Sequence, residues 1–200
     1  MPAASRRPQR KPRGRVRIVG GTWRSRLIEV QANPELRPTP DRVRETLFNW
    51  LGQDLTGFAC LDLFAGSGVL GFEAASRGAA RVVMVERERE TLAQLRANRT
   101  ALGAQQVEIV PGDAFEYLAR GGERFDVVFL DPPFRQNALP ATLAGLASRL
   151  RPAARVYLEA AQPLALRPPW EELRRKRAGH VSYQLIRWSA DDTSRLSGDV

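Results

Sequence analysis

Apolar positions in this chain fall into two alternating patterns, and the alternation predicts the fold. Cys60–Phe64, Arg81–Glu86 (R-V-V-M-V-E), Val107–Val110, Phe125–Leu130 (F-D-V-V-F-L) and Val156–Glu159 are short, nearly continuous apolar runs. Runs of that length read as strands buried on both faces. Val69–Ser76, Thr91–Leu102 (through Leu92, Leu95 and Leu102) and Leu139–Leu150 carry helical patterns between them. Arg174–Arg177 and Val181–Trp188 flank Gly179-His180 and read as a closing strand pair. The class is therefore α/β: a Rossmann-like, mostly parallel sheet with helices on both faces and an antiparallel terminal strand.

Two elements precede that domain. Val16, Ile18 and Val19 lead to Gly20-Gly21, and Leu27, Ile28 and Val30 follow, a short β-hairpin with Trp23 near its turn. Arg15, Arg17, Arg24 and Arg26 lie on it; arginines interleaved with an aromatic suit phosphates and stacking, although a plain structural hairpin has the same pattern. Pro40 suits a first helical position with Thr39 as its cap. Val43, Leu47, Trp50 and Leu51 then form an apolar stripe, from which Arg42 and Arg44 face away. The expected division is a disordered basic tail (1–14), the hairpin (15–35), the main domain (36–190) and a frayed C-terminus (191–200).

Composition changes this picture only in its surroundings. At 200 residues, 43% hydrophobic and 26% charged, the chain suits one soluble domain. No apolar run reaches the roughly 20 residues of a membrane span, and no apolar segment backs the basic N-terminus as in a secretory signal. That N-terminus is Arg-rich and acid-poor like a transit peptide, but Pro2, Pro8 and Pro12 break the amphipathic helix such a peptide needs. Cys60 is expected in the core and in a reducing compartment, and His180, the single histidine, leaves no Cys/His metal set. A cytoplasmic, metal-free monomer without membrane contact is expected. The charge is concentrated: residues 1–30 hold nine Arg or Lys against Glu29, eight of the nine net positive charges. A basic segment on a near-neutral body suits a phosphate backbone, though a solvated tail would look alike.

The chemistry starts at the first strand of the main domain, C-L-D-L-F-A-G-S-G-V-L-G (Cys60–Gly71). Strand, glycine-rich turn and helix start form a cradle in which backbone N–H groups face the ligand. Gly66, Gly68 and Gly71 fit a dinucleotide fingerprint. Asp62 argues against it: a carboxylate there would repel a pyrophosphate but suits the ammonium and sulfonium of S-adenosylmethionine. Glu86 closes the next strand, 15 residues beyond Gly71, where this fold places an acid for ribose hydroxyls. Asp113 lies after the third strand, again on the carboxyl edge. Asp131-Pro132-Pro133-Phe134 follows the fourth. Asp131 and the Pro132 carbonyl can grip the two N–H bonds of an exocyclic amine, localising its lone pair. Phe134 offers a stacking face for a splayed-out base.

These motifs resemble class I S-adenosylmethionine-dependent methyltransferases with an (Asn/Asp)-Pro-Pro-(Phe/Tyr) tetrapeptide, and more closely the RsmD family of bacterial small-subunit ribosomal RNA guanine-N(2) methyltransferases. The residues that carry the resemblance are R-P-T-P-D-R-V-R-E-T-L-F-N-W-L (Arg37–Leu51), L-D-L-F-A-G-S-G-V-L-G-F-E-A (Leu61–Ala74), D-P-P-F and A-G-H-V-S-Y-Q-L (Ala178–Leu185). It implies methyl transfer to the 2-amino group of a guanine in 16S ribosomal RNA, free or in the small subunit, reached through the basic N-terminal region. It implies that Asp62, Phe64, Gly66, Ser67 and Gly68 hold the methionine part of the cofactor, Glu86 the ribose, and Asp113 with Ala114 the adenine. Thr39 and Arg42 would come near the cofactor as the helix from Pro40 closes. Asp131, Pro132, Pro133 and Phe134 would be the catalytic segment. An adenine-N(6) methyltransferase, a dinucleotide oxidoreductase and a non-catalytic RNA-binding protein remain as alternatives.

Overall fold

The structure, a computed structural model, describes residues 13–31, 39–132 and 138–189. In chain order these form β1 (Arg13–Arg17), β2 (Leu27–Gln31), α1 (Asp41–Leu51), β3 (Ala59–Asp62), α2 (Val69–Ser76) and β4 (Arg81–Glu86). There follow α3 (Arg89–Leu102), β5 (Val107–Pro111), α4 (Ala114–Ala119), β6 (Phe125–Leu130) and α5 (Leu139–Leu146). Strands β7 (Leu150–Ala160), β8 (Trp170–Ala178) and β9 (Val181–Trp188) close the fold.

Seven strands make one sheet in the order β5-β4-β3-β6-β7-β9-β8, parallel up to β7, with β9 antiparallel to both β7 and β8. The order reverses between β3 and β6: the chain moves outward from β3 through β4 to β5, then returns to the other side of β3. In open α/β sheets the ligand crevice lies outside the carboxyl ends of the strands at that reversal. The two layers over the sheet are distinct. Leu47, Phe48, Phe72 and Leu95 of α1, α2 and α3 pack with Met84, Phe129 and Tyr157 on one face. Leu118 and Leu143 of α4 and α5 pack with Val83, Val128 and Leu158 on the other. Alternate side chains of each strand therefore serve opposite cores, which is why the buried strands are apolar almost throughout.

Several boundaries differ from the sequence expectation. β1 begins at Arg13, so Arg13 and Gly14 pair with Gln31 and Val30 instead of ending the tail. The last helix stops at Leu146, a 3₁₀ turn spans Ala147–Arg149, and β7 starts at Leu150, because pairing with Phe125 extends the strand where the apolar pattern alone does not. Helix α4, which the sequence did not indicate, follows directly from Asp113. Thr39 is not a cap: α1 begins at Asp41 behind Pro40, with no side-chain cap, and Thr39 bonds elsewhere.

The largest correction is Arg44. It does not face away; its side chain is fully buried. Its guanidinium bonds Glu73 Oε1 of α2 at 2.5 Å and Asp41 Oδ1 at 2.6 Å, and donates to the Arg17 carbonyl at 2.8 Å and the Thr39 carbonyl at 3.1 Å. Glu73, also fully buried, accepts the Val19 N–H as well, and Arg77 lies 3.5 Å from its other oxygen. One buried ion cluster thus ties the hairpin, α1 and α2 together. Ile18, Ile28 and Val30 complete the attachment by joining the core over α2 and α3. Among the described residues no helix is long and apolar enough to cross a membrane.

Candidate functional site

Strand parity gathers the acids. Asp62 pairs with Met84 on one side and with Phe129 on the other. Two residues further on, Glu86 and Asp131 project to the same face, since the side-chain period of a strand is two. Leu130 pairs with Leu158, so the next residues, Asp131 and Glu159, sit side by side at the ends of β6 and β7. Four carboxylates from four adjacent strands therefore stand on one face at the carboxyl edge, around the point where strand order reverses.

Each acid has a distinct set of partners. Asp62, 2% exposed, accepts the Gly71 N–H through Oδ2 at 3.1 Å, so it satisfies a free amide in the first turn of α2. Glu86 accepts the Gly66 N–H at 2.9 Å with one oxygen and the Arg87 and Glu88 N–H groups with the other, fixing the glycine turn from the neighbouring strand. Glu159 is buried; the Tyr157 hydroxyl donates to its Oε1 at 2.8 Å and the Thr39 hydroxyl to the same atom at 3.0 Å. Asp131, half-buried, receives no hydrogen bond from any described residue. None of the four has a Lys or Arg partner among the described residues. Burial without a counter-charge keeps a proton on a carboxyl. Burial, with Glu86 nearby, accordingly pushes Asp62 up to about 7. Asp131 is raised well above the carboxylate range by burial and then by the charges of Glu159 and Asp62. Burial raises Glu159 too, against the two hydroxyls that favour its charged form.

The turn between β3 and α2 needs its glycines. Gly68 caps α2 in the left-handed region (φ 74°), and a Cβ there would lie 2.4 Å from Leu95 Cδ2. A Cβ on Gly71 would lie 2.5 Å from the Met84 methyl. Gly66 and Ser67 line a cleft with Val30 and Gln31 of the hairpin and Thr91, Gln94 and Leu95 of α3.

The remaining expected residues separate. Asp113 caps α4, accepting the Phe115 N–H at 2.8 Å, with Ala114 buried behind it. Phe64 packs against the α4–α5 core. Arg42 is exposed on α1, whereas Thr39 is drawn into the acid cluster. Pro132 is buried next to Asp131; Pro133 and Phe134 lie outside the described residues, as do the basic tail before Arg13 and the last residues from 190. Sequence reasoning missed Glu159 and Tyr157 as site residues and β2 as a wall of the cleft. The signal for Glu159 was present: V-Y-L-E (Val156–Glu159) ends in an acid just as R-V-V-M-V-E does.

A carboxyl edge bearing four acids, none with a Lys or Arg partner among the described residues, fits a cationic ligand of small polar groups, an ammonium or sulfonium, and opposes a pyrophosphate. The residues present thus fit S-adenosylmethionine and not a dinucleotide.

A family model described as "Conserved hypothetical protein 95" matches residues 16–187. The Escherichia coli (strain K12) protein "Ribosomal RNA small subunit methyltransferase D" is 41% identical over 194 residues, covering 94% of this chain and 98% of that protein. The Haemophilus influenzae protein of the same name is 41% identical over 181 residues, 86% of this chain and 94% of its own. A solved structure of a putative methyltransferase, yhhF, from Escherichia coli superposes with a TM-score of 0.81 at 42% identity, covering 88% of this chain and 99% of that one.

Proposed function

The chain belongs to the RsmD family of small-subunit ribosomal RNA methyltransferases, and from that premise we propose that it transfers a methyl group from S-adenosylmethionine to the exocyclic 2-amino group of a guanine in 16S ribosomal RNA. The observation that carries the reading is the set of four carboxylates at the strand-order reversal, none with a counter-cation among the described residues. Bound there, the cofactor supplies an electrophilic methyl on a positive sulfur. Asp62 and the turn at Gly66, Ser67 and Gly68 hold its methionine part; Glu86, already bound to the Gly66 amide, takes the ribose; Asp113 and Ala114 border the adenine. Asp131 and the Pro132 carbonyl accept the two N–H bonds of the target amine, and Phe134 stacks on the base.

Glu159 supports guanine over adenine. The guanine amine is flanked by N1–H, a donor, whereas the adenine amine is flanked by N1, an acceptor. In its charged form, which the Tyr157 and Thr39 hydroxyls favour, a carboxylate beside Asp131 accepts the first and repels the second, and mismatched buried polar groups discriminate strongly. The test is transfer of labelled methyl to deproteinised 16S RNA and to assembled small subunits, followed by nucleoside mass spectrometry. N2-methylguanosine is the expected product. N6-methyladenosine would overturn the base assignment, and no transfer to either substrate would overturn the RNA assignment.

Cofactor affinity should rise with pH. Asp62 is partly protonated near neutrality when the site is empty of cation, because its pKa is up at about 7; a bound cation favours its charged form and releases the proton. Affinity measured by calorimetry should therefore be about tenfold higher at pH 8 than at pH 6, with proton release that scales with buffer ionisation heat. The same shift works in reverse on the unliganded fold. The neutral Asp62 contribution to stability is complete below the ordinary value of 3.8 and is lost as pH rises through about 7. Affinity independent of pH, with no proton release, would remove Asp62 from the cation's surroundings.

A further inference from the structure

Strand β8, at the outer edge of the sheet, carries its charges in two blocks. Glu171 and Glu172 stand near its start and Arg174, Arg175, Lys176 and Arg177 near its end, all exposed. The acids are used locally: Glu171 pairs with Arg187, and Glu172 with Arg175 at 3.5 Å and with Gln184. Arg174, Lys176 and Arg177 have no acid partner among the described residues; Arg174 and Arg177 donate to the backbone carbonyls of Leu173 and Gly179.

Register places the basic block at the catalytic edge. β8 runs parallel to β7, because both are antiparallel to β9 between them. Lys176 pairs with Tyr183, and Tyr183 with Glu159; Arg177 pairs with Ser182, and Ser182 with Ala160. Lys176 is therefore level with Glu159 two strands away, roughly 10 Å at the usual strand spacing. Charges that merely protect an open edge from pairing with another strand would work along its whole length. Here the acids sit at the far end and the unpaired cations at the end beside the target-amine acids.

We infer that the carboxyl-terminal half of β8, through Arg174, Lys176 and Arg177, is a docking surface for the phosphate backbone of the RNA next to the modified nucleotide. This rests on the reading of the protein as an RNA methyltransferase. The cations hold the strand by charge, so they contribute to affinity and its salt dependence and not to base choice. They also answer a problem of the site itself: a crevice lined with carboxylates repels a polyanion, and a cationic margin beside it offsets that repulsion.

The test compares the full chain with Arg174→Gln/Lys176→Gln/Arg177→Gln, and with a control that removes three exposed cations from the opposite, amino edge of the sheet, Arg96→Gln/Arg99→Gln/Arg124→Gln. Fluorescence anisotropy of labelled 16S RNA is followed from low to high salt, alongside methyl transfer under single-turnover conditions. For the β8 variant the slope of log affinity against log salt should become shallower by about 2–3, and affinity near physiological salt should fall about tenfold or more. The rate at saturating RNA and cofactor affinity should stay near wild type, and the control should keep the wild-type slope. A β8 variant with wild-type slope and affinity, or an equal loss in the control, would overturn the inference. Absence of methyl transfer by the wild-type protein would sink the RNA methyltransferase reading alone, since the anisotropy titration reads binding without chemistry.

Discussion

Asp131→Ala is expected to lower the single-turnover rate of methyl transfer by about 10²–10³-fold or more, the range seen when one preorganised group facing the reacting atoms is removed. Cofactor affinity should change only a few-fold, because the glycine turn, Asp62 and Glu86 are untouched. The assignment rests on position. Asp131 follows the last residue of β6 beside Glu159, and no described residue occupies its acceptor oxygens. Its raised pKa, caused by burial and by Glu159 and Asp62, means that it becomes a better acceptor once a cation shares the crevice. Asp131→Asn keeps one acceptor oxygen and loses the charge, so its rate should fall between the other two. Wild-type rate in the Ala variant would show that the amine is gripped elsewhere.

Glu73→Ala is expected to cost the fold about 3–5 kcal/mol, the usual effect of stripping one partner from a buried ion pair. For a domain of this size that corresponds to a fall in Tm of roughly 6–20 °C. Arg44 would be left fully buried with only the partly exposed Asp41 against its charge, the Val19 N–H would lose its acceptor, and Arg77 would lose its neighbour. Replacing both members, Arg44→Met with Glu73→Leu, should recover much of the loss, because no buried charge is left short of its inner partner. It should not recover all of it, since Arg44 also satisfies the Arg17 and Thr39 carbonyls. The cycle of single and double variants in urea isolates the coupling. Equal, small effects in all three would show that the ion cluster does not seat the hairpin, leaving that to the packing of Ile18, Ile28 and Val30 and to the hydrogen bonds of Ser76 and Asn98 with the hairpin backbone.

The hairpin matters to the site through this cluster. Val30 and Gln31 line the cleft beside Gly66 and Ser67, and Glu73 belongs to the helix that the glycine turn begins. Loosening the ion cluster should therefore raise cofactor Kd as well as lower Tm.

Local pattern carried much of this protein in the sequence. The runs at Arg81–Glu86 and Phe125–Leu130, the helix at Val69–Ser76 and the terminal strand Val181–Trp188 match the observed bounds, because a strand buried on both faces is apolar almost throughout and the glycine turn before Val69 fixes where the helix starts. The family was legible for the same reason: the cradle and the D-P-P-F tetrapeptide are contiguous, and contiguous geometry is encoded in contiguous residues. What joins distant segments was not legible. Arg44 interrupts no apolar stripe, so nothing in α1 reveals that a carboxylate 29 residues away is buried against it. Glu159 carries the same strand-end signal as Glu86, but only the pairing of Leu130 with Leu158 sets it beside Asp131. The basic block of β8 gains its meaning only from running parallel to β7, since register alone decides whether a charge stands at the carboxyl edge with the four acids or at the opposite one. Burial and register are set by the packing of whole elements, and a polar side chain carries no local sign of which distant partner will neutralise it.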